Sequence, residues 1–344
     1  MSKRLKIFKT PWHIGHDHDL ITALKDVADF DLLVNYTRRW DERNRPLPSN
    51  TKWVNHFEKG KYDLAILNID QQCTNPKLNK SILTQEMKEV IEKLEPSLPI
   101  IFINHATPVY PENFPDGVKA NDYVSPTLKK EIMDIIGSYP MIVNSKQALK
   151  DWHIPDRGVE QAIWHGIDAN EWKNDKVKEP RVCCFISAGG IGDRYYNRSY
   201  LVSVQEELRE SFGIELQWIN SPNNWHAKDI KDYKEFLAKS LVYFNPTFAS
   251  PMPRSRTEAM LSGCCIVTTP QHDADEFIVD GHNGFLVPHN DVIGTAKLIA
   301  GLIDDYKKAK VMGANARETA IKLFNRKRYS EDWIKFLTDL KILK

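Results

Sequence analysis

The chain has no long apolar run and almost no net charge. None of its hydrophobic segments approaches the ~20 residues of a membrane-spanning helix. Its 47 Lys and Arg residues against 46 Asp and Glu leave a net charge of +1, which excludes a global basic field for nucleic acid. The N-terminus lacks the apolar stretch of a signal peptide. We therefore expect a soluble, cytoplasmic protein, with a peripheral membrane contact left open.

Cysteine is scarce, with 5 in 344 residues. Four of them form the adjacent pairs Cys183–Cys184 and Cys264–Cys265 inside apolar runs. Neighbours on a strand point to opposite faces, so neither pair has the CxxC spacing of a zinc site. We predict buried, reduced thiols, as in cytosolic proteins.

Short apolar runs alternate with helical patterns along the whole chain, in two series separated by a polar break at residues 168–181. Nearly continuous apolar strands joined by helices predict parallel sheets that are covered on both faces. The predicted fold is α/β, with two Rossmann-like, doubly wound domains facing a cleft. Residues 1–168 form the first domain and residues 169–324 the second, followed by a C-terminal segment, 325–344.

Open parallel sheets bind ligands beyond the carboxyl ends of their strands, so the loops at those ends are the candidate sites. The loop predicted after the first strand, residues 10–19, offers His13, Gly15, His16 and His18. A His-x-His pattern is weak evidence for a metal, and we predict contacts to acceptor or sugar hydroxyls instead. A surface loop without a ligand is the alternative.

His105 directly follows the buried run of residues 99–104. A histidine at this edge of a sheet is placed to act on a ligand. A structural histidine that bonds the backbone fits the position equally well.

A Gly-rich turn with two arginines follows the predicted strand at residues 182–186. The turn contains Gly190, Arg194 and Arg198 but lacks the third glycine of a dinucleotide fingerprint. Guanidinium groups bind phosphate oxygens in pairs, so we predict a diphosphate site, with a solvated arginine loop as the alternative.

A dense basic run lies at residues 38–45, where Arg38, Arg39, Arg43 and Arg45 stand close together. A solvated loop is the favoured interpretation. Contact with an anionic glycan, a lipid surface or nucleic acid is the alternative, with nucleic acid ranked last because the net charge is near zero.

The segment SPMPRSRTEAMLSGCC, residues 250–265, follows another predicted strand. Ser255 and Glu258 have the spacing of a capping box at a helix start. The free N–H groups of that start, with Arg254 and Arg256, would attract an anion. A carboxylate in the first turn can also accept hydroxyl groups of a ribose, so Glu258 has both a structural and a functional interpretation.

Residues 257–287, TEAMLSGCCIVTTPQHDADEFIVDGHNGFLV, resemble the C-terminal signature of GT-B glycosyltransferases of the GT4, or group 1, type. The segment IWHGIDANEW resembles the family's interdomain segment, and MIVNSKQALKDW resembles the end of its N-terminal domain. The resemblance extends over residues 140–325 and covers the earlier part by architecture only.

The resemblance implies sugar transfer from a nucleotide diphosphate sugar, of the UDP or GDP type, to an acceptor hydroxyl. Family members usually retain the anomeric configuration and need no metal or other cofactor. The first domain generally binds the acceptor and the second the donor. The acceptor would be a glycan, a lipid-linked molecule or another hydroxyl compound. The family's last helix also returns to the first domain, as the amphipathic segment ending this chain is expected to do.

By position, Glu258 matches the family's ribose-binding glutamate and His105 a histidine that contacts the donor sugar. These two are the predicted catalytic residues. Ser250 stands where the family usually has the first glutamate of Glu-x7-Glu, and we expect it to replace that sugar contact for an unusual donor. Donor and diphosphate binding is assigned to Gly190, Arg194, Arg198, Arg254, Ser255, Arg256, Thr257 and Glu276, without a metal. The alternative functions are a nucleotide-sugar epimerase and a catalytically weak nucleotide-sugar-binding module.

Overall fold

The computed structural model describes residues 4–34, 40–70, 91–93, 97–108, 126–172, 175–185, 195–219 and 227–344. Of these, residues up to 166, together with residues 326–344, form one compact unit. Residues 167–325 form the other. Each unit contains one parallel sheet with helices, so the predicted α/β class with two doubly wound sheets is confirmed.

The first sheet has its strands in the order β3-β2-β1-β4-β5-β6, and every pair is parallel. Strand β1 lies between β2 and β4, so the chain reverses its winding direction there. Such a switch point opens a crevice at the carboxyl ends of the strands. The strands are β1 (Leu5–Thr10), β2 (Ala28–Leu33), β3 (Thr51–Val54), β4 (Leu64–Asn68), β5 (Ile100–Asn104) and β6 (Met141–Val143), and the helices are α1 (Ile14–Ala23), α2 (Pro126–Ile136) and α3 (Lys146–Trp152).

The second sheet has the order β11-β10-β9-β7-β8 and is also parallel throughout. Two of its central strands, β9 and β10, are buried along their whole length because helices cover both faces. The strands are β7 (Glu179–Phe185), β8 (Leu216–Ile219), β9 (Ser240–Asn245), β10 (Cys265–Thr268) and β11 (Gly284–Leu286), and the helices are α4 (Arg198–Phe212), α5 (Ile230–Lys239), α6 (Arg254–Leu261), α7 (Val292–Asp304) and α8 (Tyr306–Leu323).

The last helix, α9 (Arg326–Asp339), belongs to the first unit. Its Trp333, Phe336 and Leu337 are buried in one hydrophobic cluster with residues of α1, β1 and β2. Ser330 Oγ donates to the carbonyl of Ala23 at 2.6 Å, which anchors α9 against the end of α1. The amphipathic pattern seen in the sequence therefore corresponds to packing inside this unit.

The cysteines of the second unit are buried and free, as predicted. Burial raises the pKa of the Cys265 thiol to about 12, which keeps it protonated and unreactive near neutral pH. Cys73 lies outside the described residues. Within the described ranges, no helix combines the length and apolar character that crossing a membrane requires.

Candidate functional site

A buried polar network joins the carboxyl ends of β1 and β4 to the start of α1. Lys9 Nζ lies 2.8 Å from Asp17 Oδ1 and donates to Asn68 Oδ1 at 3.3 Å. Asn68 Nδ2 donates in turn to Asp17 Oδ1 at 2.9 Å. A buried ion pair is tolerated when further hydrogen bonds satisfy its atoms, and this one fixes the entry of α1 above the switch point of the first sheet.

The residues just before α1 are held by two buried carboxylates. Asp17 Oδ2 accepts from the backbone N–H of Trp12 at 2.6 Å, and Asp70 accepts from the indole N–H of Trp12. The same Asp70 oxygen lies 3.5 Å from His13 Nε2. His13 is thus oriented by a carboxylate on the strand edge, an arrangement that fixes which ring nitrogen carries the proton.

Four histidines come together at this edge of the first unit. The rings of His16 and His105 are stacked, with centroids 4.0 Å apart and planes at 17°. His13 lies 6.1 Å from His105, and His165 lies 5.7 Å from His16. The sequence predicted three of these residues separately. It missed His165, which lies after α3 in the segment IWHGIDANEW, because a single histidine away from a predicted strand end carries little signal.

His105 is kept neutral by its surroundings. Burial lowers its pKa well below the ordinary value, and the neighbouring His13, Lys9 and His165 lower it further. Its Nδ1 is buried and makes no hydrogen bond within the described residues. A neutral imidazole can donate a hydrogen bond from one ring nitrogen and accept one at the other, which suits contact with a sugar hydroxyl.

The residues predicted as a loop after β1 belong to α1 instead. The helix begins at Ile14 with His13 as its N-cap, so Gly15, His16 and His18 occupy its first turns. His18 faces Asp19, with 3.5 Å between Nδ1 and Oδ1. In the part of the chain that the structure describes, no three His, Cys, Asp or Glu side chains are grouped to hold a metal ion.

In the second unit, the start of α6 differs from the predicted capping box. The helix begins at Arg254, and its N-cap is Pro253, which has no side chain able to cap it. Ser255 lies one residue inside the helix, where its hydroxyl accepts from the phenol of Tyr243 at 2.8 Å. The capping role predicted for Ser255 is therefore wrong, because a residue of β9 takes up its hydroxyl.

Glu258 is only 4% exposed and pairs with a charged neighbour rather than with the helix backbone. Its Oε1 accepts from Arg254 Nε at 2.8 Å. The buried phenol of Tyr233 has a raised pKa, caused first by burial and next by the Glu258 carboxylate. The ion pair with Arg254 thus orients the carboxylate for which the sequence predicted ribose binding.

Arg256 is completely buried inside the second unit. Its Nη1 lies 3.4 Å from Thr268 Oγ1, its Nη2 lies 3.5 Å from Met252 Sδ, and its guanidinium sits 5.0 Å from the centre of the Phe277 ring. This placement does not favour the predicted direct contact to a diphosphate. Thr257 is also completely buried, and Ser250 is buried in the loop before the helix.

The other predicted donor residues lie on separate loops of the second unit. Arg198 is the first residue of α4, where a helix N-terminus and a guanidinium occur together. Glu276 is exposed at the end of a short 3-10 helix, His272–Glu276. Gly190 and Arg194 lie outside the described residues.

The basic run in the first unit is partly neutralised by its own neighbours. Arg43 pairs with Asp41 at 2.8 Å, and both side chains are exposed. Arg45 is buried and donates to the carbonyl of Asn44 at 2.7 Å. Arg38 and Arg39 lie outside the described residues. Arg43 thus fits the favoured interpretation of a solvated loop, whereas the buried Arg45 does not.

Residues 225–319 match the family model of the group 1 glycosyl transferases. The segment contains α6, with Arg254, Ser255 and Glu258, and the three strands around it. The match supports the resemblance to the group 1 family that the sequence motifs indicated. It covers the part of the chain in which the sequence predicted donor binding around Glu258.

Three proteins illustrate what the chain is similar to. An uncharacterized glycosyltransferase of Methanocaldococcus jannaschii is 33% identical over 210 residues, which cover 56% of this chain and 53% of that protein. An N-acetylgalactosaminyltransferase of Campylobacter jejuni, acting on an undecaprenol-linked glycan, is 21% identical over 42% of this chain and 40% of its own length. The chain thus spans about half of these curated relatives or less.

The third is a solved structure, the Anabaena protein HepE in complex with UDP and glucose. The structural alignment covers 98% of this chain and 100% of the HepE chain, with a TM-score of 0.67 and 16% sequence identity. At this level of identity the likeness concerns the fold alone, and it supports the GT-B class predicted from the sequence.

Proposed function

We propose that the protein is a glycosyltransferase that moves a sugar from a nucleotide diphosphate sugar to an acceptor hydroxyl. The observation that carries the proposal is the group 1 family match over residues 225–319, a segment that contains the buried, oriented carboxylate of Glu258 in α6. We place the protein in the GT4 type because its motifs follow the order of that family.

The donor would be bound by the second unit. Glu258 would accept hydroxyl groups of the ribose, since Arg254 already holds its carboxylate in one orientation. The backbone N–H groups at the start of α6 would face the diphosphate, as helix N-termini do in many phosphate sites. Arg198 at the start of α4 would add a second positive group. The UDP-bound HepE structure supports a UDP-type donor.

During transfer, the bond between the anomeric carbon and the diphosphate oxygen breaks. The acceptor oxygen forms a bond to that carbon and loses its proton, and the leaving diphosphate gains a negative charge. Fixed N–H groups and guanidinium groups stabilise such a charge without reorganising. Because these groups can balance the charge, we propose that the reaction needs no metal ion or other cofactor. The resemblance to the family leads us to propose that it retains the anomeric configuration.

The acceptor side would lie in the first unit. The neutral His105, stacked on His16, would contact a sugar hydroxyl, and His13 would be held ready by Asp70. The Campylobacter relative acts on a lipid-linked glycan, which supports a glycan or lipid-linked acceptor for this chain.

A thermal-shift screen of the full chain with UDP, GDP, ADP, CDP and dTDP sugars tests the proposal, because a bound ligand stabilises the folded state. The donor that binds is then incubated with a panel of glycan acceptors in EDTA. We expect release of the nucleoside diphosphate that depends on acceptor. Conversion into a different nucleotide sugar without acceptor would indicate an epimerase, and binding without any turnover would indicate a binding module.

A further inference from the structure

Several buried polar groups near the loop that precedes α6 form no hydrogen bond within the described residues. Arg256 Nε, Asn245 Nδ2, Thr247 Oγ1 and both polar side-chain atoms of Gln271 are buried without a hydrogen-bond partner in the described ranges. A buried polar group left unpaired costs about 1–3 kcal/mol. Several of them within one region indicate that a bound molecule normally satisfies them.

Thr268, at the end of β10, brings two of these groups together. Its hydroxyl donates to the backbone carbonyl of Asn245 at 3.0 Å and lies 3.5 Å from the amide oxygen of the same residue. Arg256 Nη1 donates to that hydroxyl at 3.4 Å. The Asn245 amide and the Arg256 guanidinium therefore approach each other at the carboxyl ends of β9 and β10.

Thr269 connects the other two groups to the same edge. Its hydroxyl donates to the carbonyl of Thr247, and its own carbonyl accepts from the backbone N–H of Gln271 at 2.8 Å. Both partners lie just beyond the strand ends, on the loops that follow β9 and β10. In open α/β sheets, ligands bind at this position.

The cluster carries a positive charge that no acid of the described residues pairs with directly. Burial lowers the pKa of Arg256 to about 10, which leaves it protonated near neutral pH, and Asp273 is close enough to favour the charged form. The Arg256 guanidinium instead contacts a hydroxyl, a thioether and an aromatic ring. A buried cation that forms no ion pair is costly, so an anion that binds here would stabilise it.

The chemistry of the cluster also favours a ligand that accepts hydrogen bonds. Arginine offers only donors, and the amide and hydroxyl groups supply further donors. The loop Ser250–Pro253 contains no acidic residue. Met252 covers the guanidinium, with 3.5 Å between Sδ and Nη2, and rotation of this unbranched side chain would open the cluster.

We infer that this donor-rich cluster binds a carboxylate on the sugar of the nucleotide-linked donor. The inference rests on the proposed function and narrows its substrate to an acidic sugar. Arg256 thereby becomes a specificity residue for the sugar instead of a contact to the diphosphate.

The test compares matched neutral and acidic donors that differ only at the carboxylate. Binding of UDP, UDP-glucose and UDP-glucuronate to the full chain is measured by titration calorimetry, and GDP, GDP-mannose and GDP-mannuronate form a second series. We expect the acidic sugar to bind at least tenfold more tightly than its neutral counterpart. In Arg256→Met the preference should vanish while the affinity for the free nucleotide stays the same. Arg181→Met is the matched control, because Arg181 also packs on a phenylalanine, at 4.8 Å from Phe236.

The outcomes separate the two proposals. If no nucleotide or nucleotide sugar binds, the proposed function fails. If nucleotides bind but the wild-type protein shows no preference for the acidic sugar, the inference is overturned and the buried groups hold water only. That comparison needs no variant, so it stands even if Arg256→Met does not fold. Equal loss of free nucleotide and acidic sugar in a folded Arg256→Met would also overturn it, because Arg256 would then serve the diphosphate.

Discussion

The replacement Glu258→Gln separates the structural from the functional role of this residue. The glutamine side chain keeps the shape of the glutamate but loses its charge. It can still accept the hydrogen bond from Arg254 Nε, which lies 2.8 Å from Oε1 in the wild-type protein. A hydrogen bond to a charged group contributes about 1.5–3 kcal/mol, and the amide retains part of it. We therefore expect a loss of about 1–2 kcal/mol in the free energy of unfolding.

The expected loss in donor binding is much larger. A carboxylate that accepts two ribose hydroxyls makes two charge-assisted bonds, so their loss corresponds to about 3–6 kcal/mol, or more than a hundredfold in the dissociation constant. Urea unfolding measures the first quantity and calorimetric titration of the donor the second. Asp305→Ala is the control: it removes the N-cap of α8, whose carboxylate accepts from the N–H of Lys308 at 3.1 Å, and should cost about 1 kcal/mol without affecting the donor.

The reasoning would be refuted if Glu258→Gln lowered stability as expected and bound the donor like the wild-type protein. Glu258 would then be a structural partner of Arg254 only. The sequence alone left both roles open, and the measured ratio of the two losses decides between them.

Two further predictions concern stability. The half-buried His272 has a pKa lowered to about 4, mainly by desolvation, so the imidazole stays neutral in the folded state while it takes up a proton in the unfolded state below pH ~6.5. The free energy of unfolding should therefore fall by about 3 kcal/mol between pH 6.5 and 4 through this residue. Urea unfolding at several pH values should show that His272→Asn lacks this decrease. If the free energies of both proteins fell in parallel with pH, the prediction would be contradicted. Gly313→Ala would place a Cβ 2.2 Å from the carbonyl oxygen of Gly263 and should cost about 1–3 kcal/mol. Gly301→Ala, in a helix with open space around it, should instead gain up to about 1 kcal/mol. Equal thermal shifts of the two variants would contradict the packing argument.

The sheets were predictable because their strands carry the signal in their own residues. The run Ile100–Asn104 is buried at every position, and a strand covered on both faces has to be apolar throughout. The loop predicted at residues 10–19 is partly helical, because the first helix occupies Ile14–Ala23. Its start depends on Asp17 and on Lys9 and Asn68, which lie far apart in the sequence.

The candidate site was less predictable because its contacts join distant segments. The Ser-x-x-Glu spacing indicated a capping box, yet Tyr243 of β9 takes up the hydroxyl of Ser255. Likewise, the stack of His16 on His105 requires β1 and β5 to meet at one edge of the sheet. Local patterns predicted which residues are polar and where they stand along the chain, but not which partners they select.

The most direct test of the central claim is to follow transfer itself in the presence of EDTA. The full chain is incubated with the donor that binds it and a hydroxyl acceptor, and the acceptor is analysed by mass spectrometry. We predict an acceptor heavier by one sugar residue, a stoichiometric amount of free nucleoside diphosphate and an unchanged yield in EDTA. An unmodified acceptor, or a product that forms only after Mn²⁺ or Mg²⁺ is restored, would contradict metal-independent glycosyl transfer.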